Sequence, residues 1–233
     1  MDLSFSLPKR CVISFFGDAV QEYVHENGCE MAGSLRMETY SIPVYSIEDE
    51  HSESVALLHA FGSGSYGAAQ IEKLIALGCN TFFVCGGCGV LVKGSQTGDL
   101  YIPIAAVRDE GTSYHYVKPA RDIKMDPAIV ETMCNYLSSE GIPYQCVKTW
   151  TTDAIYRETR DMVSLRVNEG CSVVDMECAS YLAVAQYKHV KLGQLLYAGD
   201  DLSGLKWDGR DWKSKKDVRK ALLSLSMNLC RLI

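Results

Sequence analysis

The sequence predicts an α/β fold, a three-layer α/β/α sandwich, and three observations predict it. Short apolar runs rich in β-branched residues alternate with helical patterns along the whole chain. Glycine-containing segments follow several of the strand-like runs. Carboxylates gather where two strand-like runs end, in Val173 to Ser180 (VVDMECAS) and at Gly199-Asp200-Asp201. In open α/β folds, strand ends converge on the crevice where ligands bind.

Taken in order, Cys11 to Phe16 reads as the first strand and Gly17-Asp18 as the turn that ends it. Residues 19–38 are polar and carry no clear period. Ile42 to Ile47 and Ser54 to Phe61 read as strands. Gly62-Ser63-Gly64-Ser65-Tyr66-Gly67 then leads into a helix whose Ile71, Leu74 and Ile75 share a face, with Gly78 as its stop. Such a loop can present backbone N–H groups to an anion, but it fits neither the dinucleotide fingerprint nor the P-loop.

Thr81 to Cys85 reads as a buried strand running into a glycine-rich loop, Gly86-Gly87-Cys88-Gly89, followed by Val90 to Val92. The Cys85-x-x-Cys88 spacing suits a redox pair, yet glycines and β-formers follow where an activated thiolate needs a helix N-terminus. No second CxxC completes a zinc site. Leu100 to Val107 is a strand, and Arg108 to Ser113 a polar loop. Asp126-Pro127 starts a helix, with Asp as N-cap and Pro at N1, and Ile129, Val130, Met133 and Leu137 form its buried stripe.

Tyr144 to Thr149 is a strand, and Thr151-Thr152-Asp153 can cap a helix beginning near Tyr156. Cys171 to Asp175 runs as a strand straight into a helix. Asp175 and Glu177 fit a functional site there, and equally the acid-favouring first turn of that helix. Leu192 to Ala198 is the last inner strand, Lys206 to Trp212 a polar loop, and Ser214 a cap for a final helix carrying Val218, Leu222, Leu225 and Leu229.

Composition narrows the function classes. Of 233 residues, 47% are hydrophobic and 22% charged, with a net charge of −6 and no basic stripe, which argues against a nucleic-acid partner. No apolar run approaches a membrane span. Lys9 and Arg10 precede an apolar run too short for a signal peptide. Ten cysteines without a secretion signal suit a reduced, cytoplasmic protein.

Several segments together resemble the nucleoside phosphorylase-I family of purine nucleoside phosphorylases, uridine phosphorylases and related nucleosidases. They are Gly17-Asp18, GSGSYGAAQIEKLIALG at 62–78, CGGCGVL at 85–91, TGDLYIPIAAVRDEGTSYHY at 97–116, TTDAIY at 151–156, VVDMECA at 173–179 and AGDDLSG at 198–204. They stand in family order over most of the chain. The resemblance implies a single domain over 1–233 with a central mixed, partly barrel-like sheet.

It also implies cleavage of a nucleoside N-glycosidic bond. Glu177 would hold the ribose hydroxyls and Met176 would pack against the sugar. Asp200 would protonate a departing purine, with Arg210 pairing to it; a surface role for Arg210 stays open. Ile155 and Tyr156 would line the base pocket, with core packing the alternative for Ile155. Gly17 and Gly87 would contact phosphate, the co-substrate, and Arg36 would match an arginine that some members reach across from a neighbouring subunit. No metal or other cofactor is implied, and the assembly would be a homo-oligomer, a dimer or a hexamer built from dimers.

The departures concern phosphate. The family's Gly-Asp-Pro-x-Arg reads Gly17-Asp18-Ala19-Val20-Gln21, and its Arg-x-Gly-Thr/Ser-x-Gly reads Val84-Cys85-Gly86-Gly87-Cys88-Gly89. Each lost charged hydrogen bond is worth about 1.5–3 kcal/mol. Three accounts stay open: phosphate held by loop amides with Arg36 and Arg108, water in place of phosphate, or nucleoside binding without turnover. Phosphorolysis is the favoured reading on family frequency.

Overall fold

The computed structural model describes residues 5–37, 40–48 and 54–233. Its elements are β1 (Arg10–Ser14), α1 (Gly17–Glu26), β2 (Glu30–Arg36), β3 (Ser41–Glu48), β4 (Ser54–His59), α2 (Gly64–Ala76), β5 (Thr81–Val90), β6 (Leu100–Asp109), β7 (Asp122–Lys124), α3 (Pro127–Ser139), β8 (Tyr144–Thr152), α4 (Arg160–Asn168), β9 (Cys171–Asp175), α5 (Cys178–Lys188), β10 (Lys191–Asp201) and α6 (Lys216–Leu232). The fold is α/β, with a central mixed sheet and flanking helices.

The sheet runs in the order β10-β6-β8-β9-β5-β1-β4-β3-β2, and β10 also pairs with β5. That extra pairing closes β5, β10, β6, β8 and β9 into a ring. The remaining strands, β1, β4, β3 and β2, extend from β5 as an open wing, and β7 pairs with β6. The main core fills the space between the sheet and α2, α5 and α6, with Ile13, Leu57, Ile71, Phe83, Val184 and Leu223 among its buried members.

Most of the expected strands and helices form, and several differ for identifiable reasons. Gly17 does not end β1 with a turn; it opens α1, and only Ala19 and Val20 of that helix are buried, which explains its indistinct period. The glycines after Cys85 form no loop. β5 runs unbroken through Gly86, Gly87 and Gly89, because β10 pairs with it from Thr81↔Lys191 to Cys88↔Ala198. Large neighbours supply the packing that these residues lack: a Cβ on Gly89 would lie 2.6 Å from Leu202 and 2.8 Å from Val174.

Helix caps divide similarly. Asp126 caps α3, accepting the Ala128 N–H at 2.9 Å. The Thr151-Thr152 pair does not cap the next helix, since β8 extends through both; Thr151 Oγ1 instead accepts the Ala179 N–H in the first turn of α5 at 3.1 Å, a 3₁₀ turn at Ile155–Arg157 follows β8, and Thr159 caps α4. Ser214 lies in a 3₁₀ turn and α6 begins at Lys216 without a side-chain cap.

Candidate active site

Three strand ends meet on one side of the ring. β9 pairs with β8 through Asp175↔Thr151 and with β5 through Val174↔Gly89. β10 follows β5 to Ala198↔Cys88, then shifts register before Asp201↔Val90. Such an irregularity re-aims side chains, and here it carries Asp200. One Asp200 carboxylate oxygen lies 3.5 Å from the position a Gly89 Cβ would take.

Asp175 is a hub rather than a free acid. Its Oδ1 accepts the hydroxyls of Thr149 and Thr151, each at 2.9 Å. Its Oδ2 accepts the backbone N–H of Glu177 at 2.9 Å and of Cys178 at 2.6 Å. It therefore satisfies the orphan donors at the start of α5. Glu177 makes no such cap. It is buried, and burial pushes its carboxyl well up, with the charges of Asp175 and Asp153 acting the same way. Met176 is half-buried between the two acids. Its carbonyl lies 3.4 Å from where a Cβ on Gly64 would sit, so the start of α2 abuts the site. Ser180 of α5 donates to the buried Glu110 at 2.7 Å and fastens the helix to the segment after β6.

The chain after β10 folds back over Asp200. Asp201 and Asp208 exchange backbone hydrogen bonds at 2.8 and 3.0 Å, closing a hairpin that sets the Trp207 indole N–H on Asp200 Oδ2 at 2.5 Å. Arg160, at the start of α4, donates to the Leu205 carbonyl of that hairpin. The expected pairing of Arg210 with Asp200 is not found. Arg210 pairs with Asp201, because successive residues of a strand project to opposite sides. Burial works upward on the Asp201 carboxyl, but Ser203 and Arg210 outweigh it and leave it below the usual range.

Ile155 and Tyr156 stand on the 3₁₀ turn with exposures of 44% and 95%, so neither is a core residue. Two residues on, Glu158 is half-buried. Burial, reinforced by the charge of Asp200, pushes its carboxyl up to about 7. Sequence reasoning missed Trp207, which the short hairpin after β10 brings to Asp200, and Glu158, whose carboxyl feels the Asp200 charge only once distant segments fold together. The acid beside the TTDAIY segment was the one local signal.

Of the residues assigned to phosphate, Gly17 and Gly87 follow the paired positions Ser14 and Cys85 of adjacent strands β1 and β5, and Arg36 lies at the far edge of the sheet. Gly17 opens α1, against the His59 imidazole. Gly87 is an exposed strand residue, and a Cβ there would lie 3.3 Å from the Tyr197 ring. Arg36 ends β2, which β3, β4 and β1 separate from β5, about 19 Å across a sheet at ~4.8 Å per strand. Arg108 is committed elsewhere: its guanidinium donates to Ser113 Oγ at 2.8 Å, Lys118 O at 2.7 Å and Val117 O at 3.3 Å.

The CxxC cysteines are buried strand residues. Burial raises the Cys85 thiol to about 11 and the Cys88 thiol well above its usual value. Neither is the thiolate that redox exchange needs. Among the described residues no group of three or more His, Cys, Asp or Glu is arranged to hold a metal.

The chain is 25% identical over 161 residues to a guanosine phosphorylase of Halorubrum lacusprofundi, covering 66% of this chain and 67% of that protein. It is 37% identical over 89 residues to a uridine phosphorylase of Thermococcus kodakarensis, covering 38% of this chain and 32% of that one. Its fold matches the crystal structure of an AMP nucleosidase from Bacteroides thetaiotaomicron with a TM-score of 0.76 at 23% identity, over 97% of this chain and 88% of that one. A family profile, described as the phosphorylase superfamily, matches residues 9–233, and the chain belongs to that superfamily of nucleoside phosphorylases and nucleosidases.

Proposed function

We propose that the protein cleaves the N-glycosidic bond of a purine nucleoside with phosphate as acceptor, releasing free base and ribose 1-phosphate. The observation that carries this reading is the placement of a buried Glu177, fixed through Asp175, beside the strand end that bears Asp200. A carboxyl in so desolvated a position favours its charged form only when donors reach it. The vicinal hydroxyls of a ribose are such donors. Bond cleavage leaves positive charge on the sugar and negative charge on the base. Glu177 orients the sugar, and an acid at Asp200 neutralises the base as it departs. Ile155 and Tyr156 flank the base, with Met176 against the sugar. The two curated relatives named phosphorylases support phosphate as acceptor.

One observation favours hydrolysis instead. Gln21, Val84 and Gly87 stand where the resemblance expects two cations and a hydroxyl. Water needs no such cations. The same proposal takes 1–233 as one domain in a cytoplasmic homo-oligomer that uses phosphate and no other cofactor.

The test is base release from inosine, guanosine, adenosine, uridine and methylthioadenosine, each with and without phosphate. Release only with phosphate, with ribose 1-phosphate formed, supports phosphorolysis. Equal release without it, yielding free ribose, replaces phosphorolysis with hydrolysis. Saturable binding without release from any of them removes the enzymatic reading.

A further inference from the structure

We propose that Trp207 is a positioning residue for the acid: its indole N–H fixes the Asp200 carboxyl so that Oδ2 accepts and Oδ1 carries the proton given to a departing purine. The inference rests on the nucleoside-cleavage reading and adds a residue to it. It starts from the different surroundings of the two Asp200 oxygens. Oδ2 accepts the Trp207 N–H at 2.5 Å. Oδ1 lies against β5, 3.5 Å from where a Cβ on Gly89 would sit, and Gly89 pairs with Val174 on the strand that leads to Glu177.

The indole is itself held in place. Backbone bonds between Asp201 and Asp208 close the hairpin that carries it, and Arg210 pairs with Asp201 in the same turn. Arg160 donates to the Leu205 carbonyl from α4. Gly209 lets the ring lie against the backbone, since a Cβ there would come within 2.9 Å of it. Trp207 is nevertheless 65% exposed. A side chain so exposed adds little to a core, and among the described residues its one hydrogen bond ends on the acid.

That bond decides where a proton can stand. An indole N–H only donates, so Oδ2 accepts and Oδ1 is left to carry the proton. Trp207 also takes the place that the resemblance gives to an arginine. Among the described residues no cation pairs with Asp200, because Arg210 is taken by Asp201 and Arg160 by a carbonyl. An arginine on Asp200 would favour its ionised form and hold back the proton. The neutral indole orients the group without that opposing charge.

The step balances. As the glycosidic C–N bond breaks, its electron pair goes to the base. N7 of the purine takes the proton from Oδ1, and Asp200 is left ionised. The Trp207 hydrogen bond strengthens as that charge develops, so it favours the transition state over the bound substrate. Solvent returns a proton to Oδ1 after the base leaves.

The test compares inosine or guanosine, whichever is turned over faster, with its 7-methyl derivative, whose purine already carries the charge that protonation would bring. Trp207→Phe keeps an aromatic ring and removes the donor. It should lower kcat for the unmethylated nucleoside by about 10-fold, the worth of one hydrogen bond to a group becoming charged, with KM changed by less than about threefold. The loss on the 7-methyl substrate should be clearly smaller. Equal losses on both substrates point to a structural role and overturn the proposal. So does an unchanged kcat for the unmethylated nucleoside, and either result leaves nucleoside cleavage standing. Absence of base release from every purine nucleoside in the wild type ends the reading on which the role rests, and the role with it. The contact itself is read without turnover by nitrogen NMR of protein labelled at its three tryptophans. The indole N–H resonance that vanishes in Trp207→Phe should move upfield in Asp200→Ala, as a lost acceptor requires. An unmoved resonance overturns the pairing whatever the activity.

Discussion

The Asp175 carboxylate accepts the backbone N–H of Glu177 at 2.9 Å, so one acid sets the position of the other. Removing Asp175 unseats four donors at once: two hydroxyls and two backbone amides. Asp175→Ala should cost about 2–4 kcal/mol in urea unfolding, since unsatisfied buried donors and a lost cap add. Asp175→Asn, which keeps an acceptor oxygen, should cost less. Equal stability of wild type and Asp175→Ala would remove the hub role.

Glu177→Gln should selectively weaken the grip on the ribose. The expected loss is about 10–100-fold in kcat/KM for a ribonucleoside, the worth of one charged hydrogen bond. The wild type should discriminate against the 2′-deoxy analogue and the variant should not. Undiminished discrimination in Glu177→Gln would place the ribose elsewhere.

Asp200→Asn should depress turnover of purine nucleosides by about 10²–10⁴-fold, the range of general acid catalysis. The fold should survive, since among the described residues its side chain makes one hydrogen bond, to Trp207. Unchanged circular dichroism with wild-type rates would take Asp200 out of the mechanism.

Glu158 gives a stability prediction with a definite sign. Its folded-state carboxyl titrates at about 7 against an ordinary 4.5. The folded state therefore holds a proton that the unfolded chain has released. This stabilising contribution is complete below pH 4.5 and lost as pH rises through 7. Glu158→Gln should match the wild type near pH 4.5 and exceed it at pH 8, on the order of 1 kcal/mol after solvent screening. Thermal unfolding at the two pH values measures the difference, and a gain at the lower pH alone would contradict the sign.

The thiols should be slow to react at neutral pH. Burial holds Cys85 at about 11, and burial with the Cys134 thiol 3.6 Å away holds the exposed Cys146 at about 11. Iodoacetamide labelling of the folded protein at pH 7.5 should spare Cys85 and Cys88 and modify Cys146 only slowly, quickening above pH 10. Activity should not respond to reductant. Rapid labelling of Cys85 or Cys88 would reopen a redox role.

Where local chemistry decides, the sequence was legible. Asp126-Pro127 announced α3, Gly78 followed α2, and VVDMECA marked the strand-to-helix junction between β9 and α5. Where pairing across the sheet decides, it was not. Gly86, Gly87 and Gly89 have poor strand propensity, yet β10 holds them extended and Leu202 and Val174 cover Gly89. Arg210 was expected on Asp200, but the alternation of β10 sends it to Asp201. Glu158 looks like any surface acid until the hairpin after β10 folds beside it.

The ring of five strands leaves little room for changes in length. A one-residue deletion inside β5, β6, β8, β9 or β10 would turn every later side chain of that strand to the opposite face, and a closed ring has no margin at which to discharge the slip. Among the described residues β2 pairs only with β3, so a slip there runs off the edge. Insertions and grafted segments therefore belong on the wing, where they leave the spacing between Glu177 and Asp200 untouched.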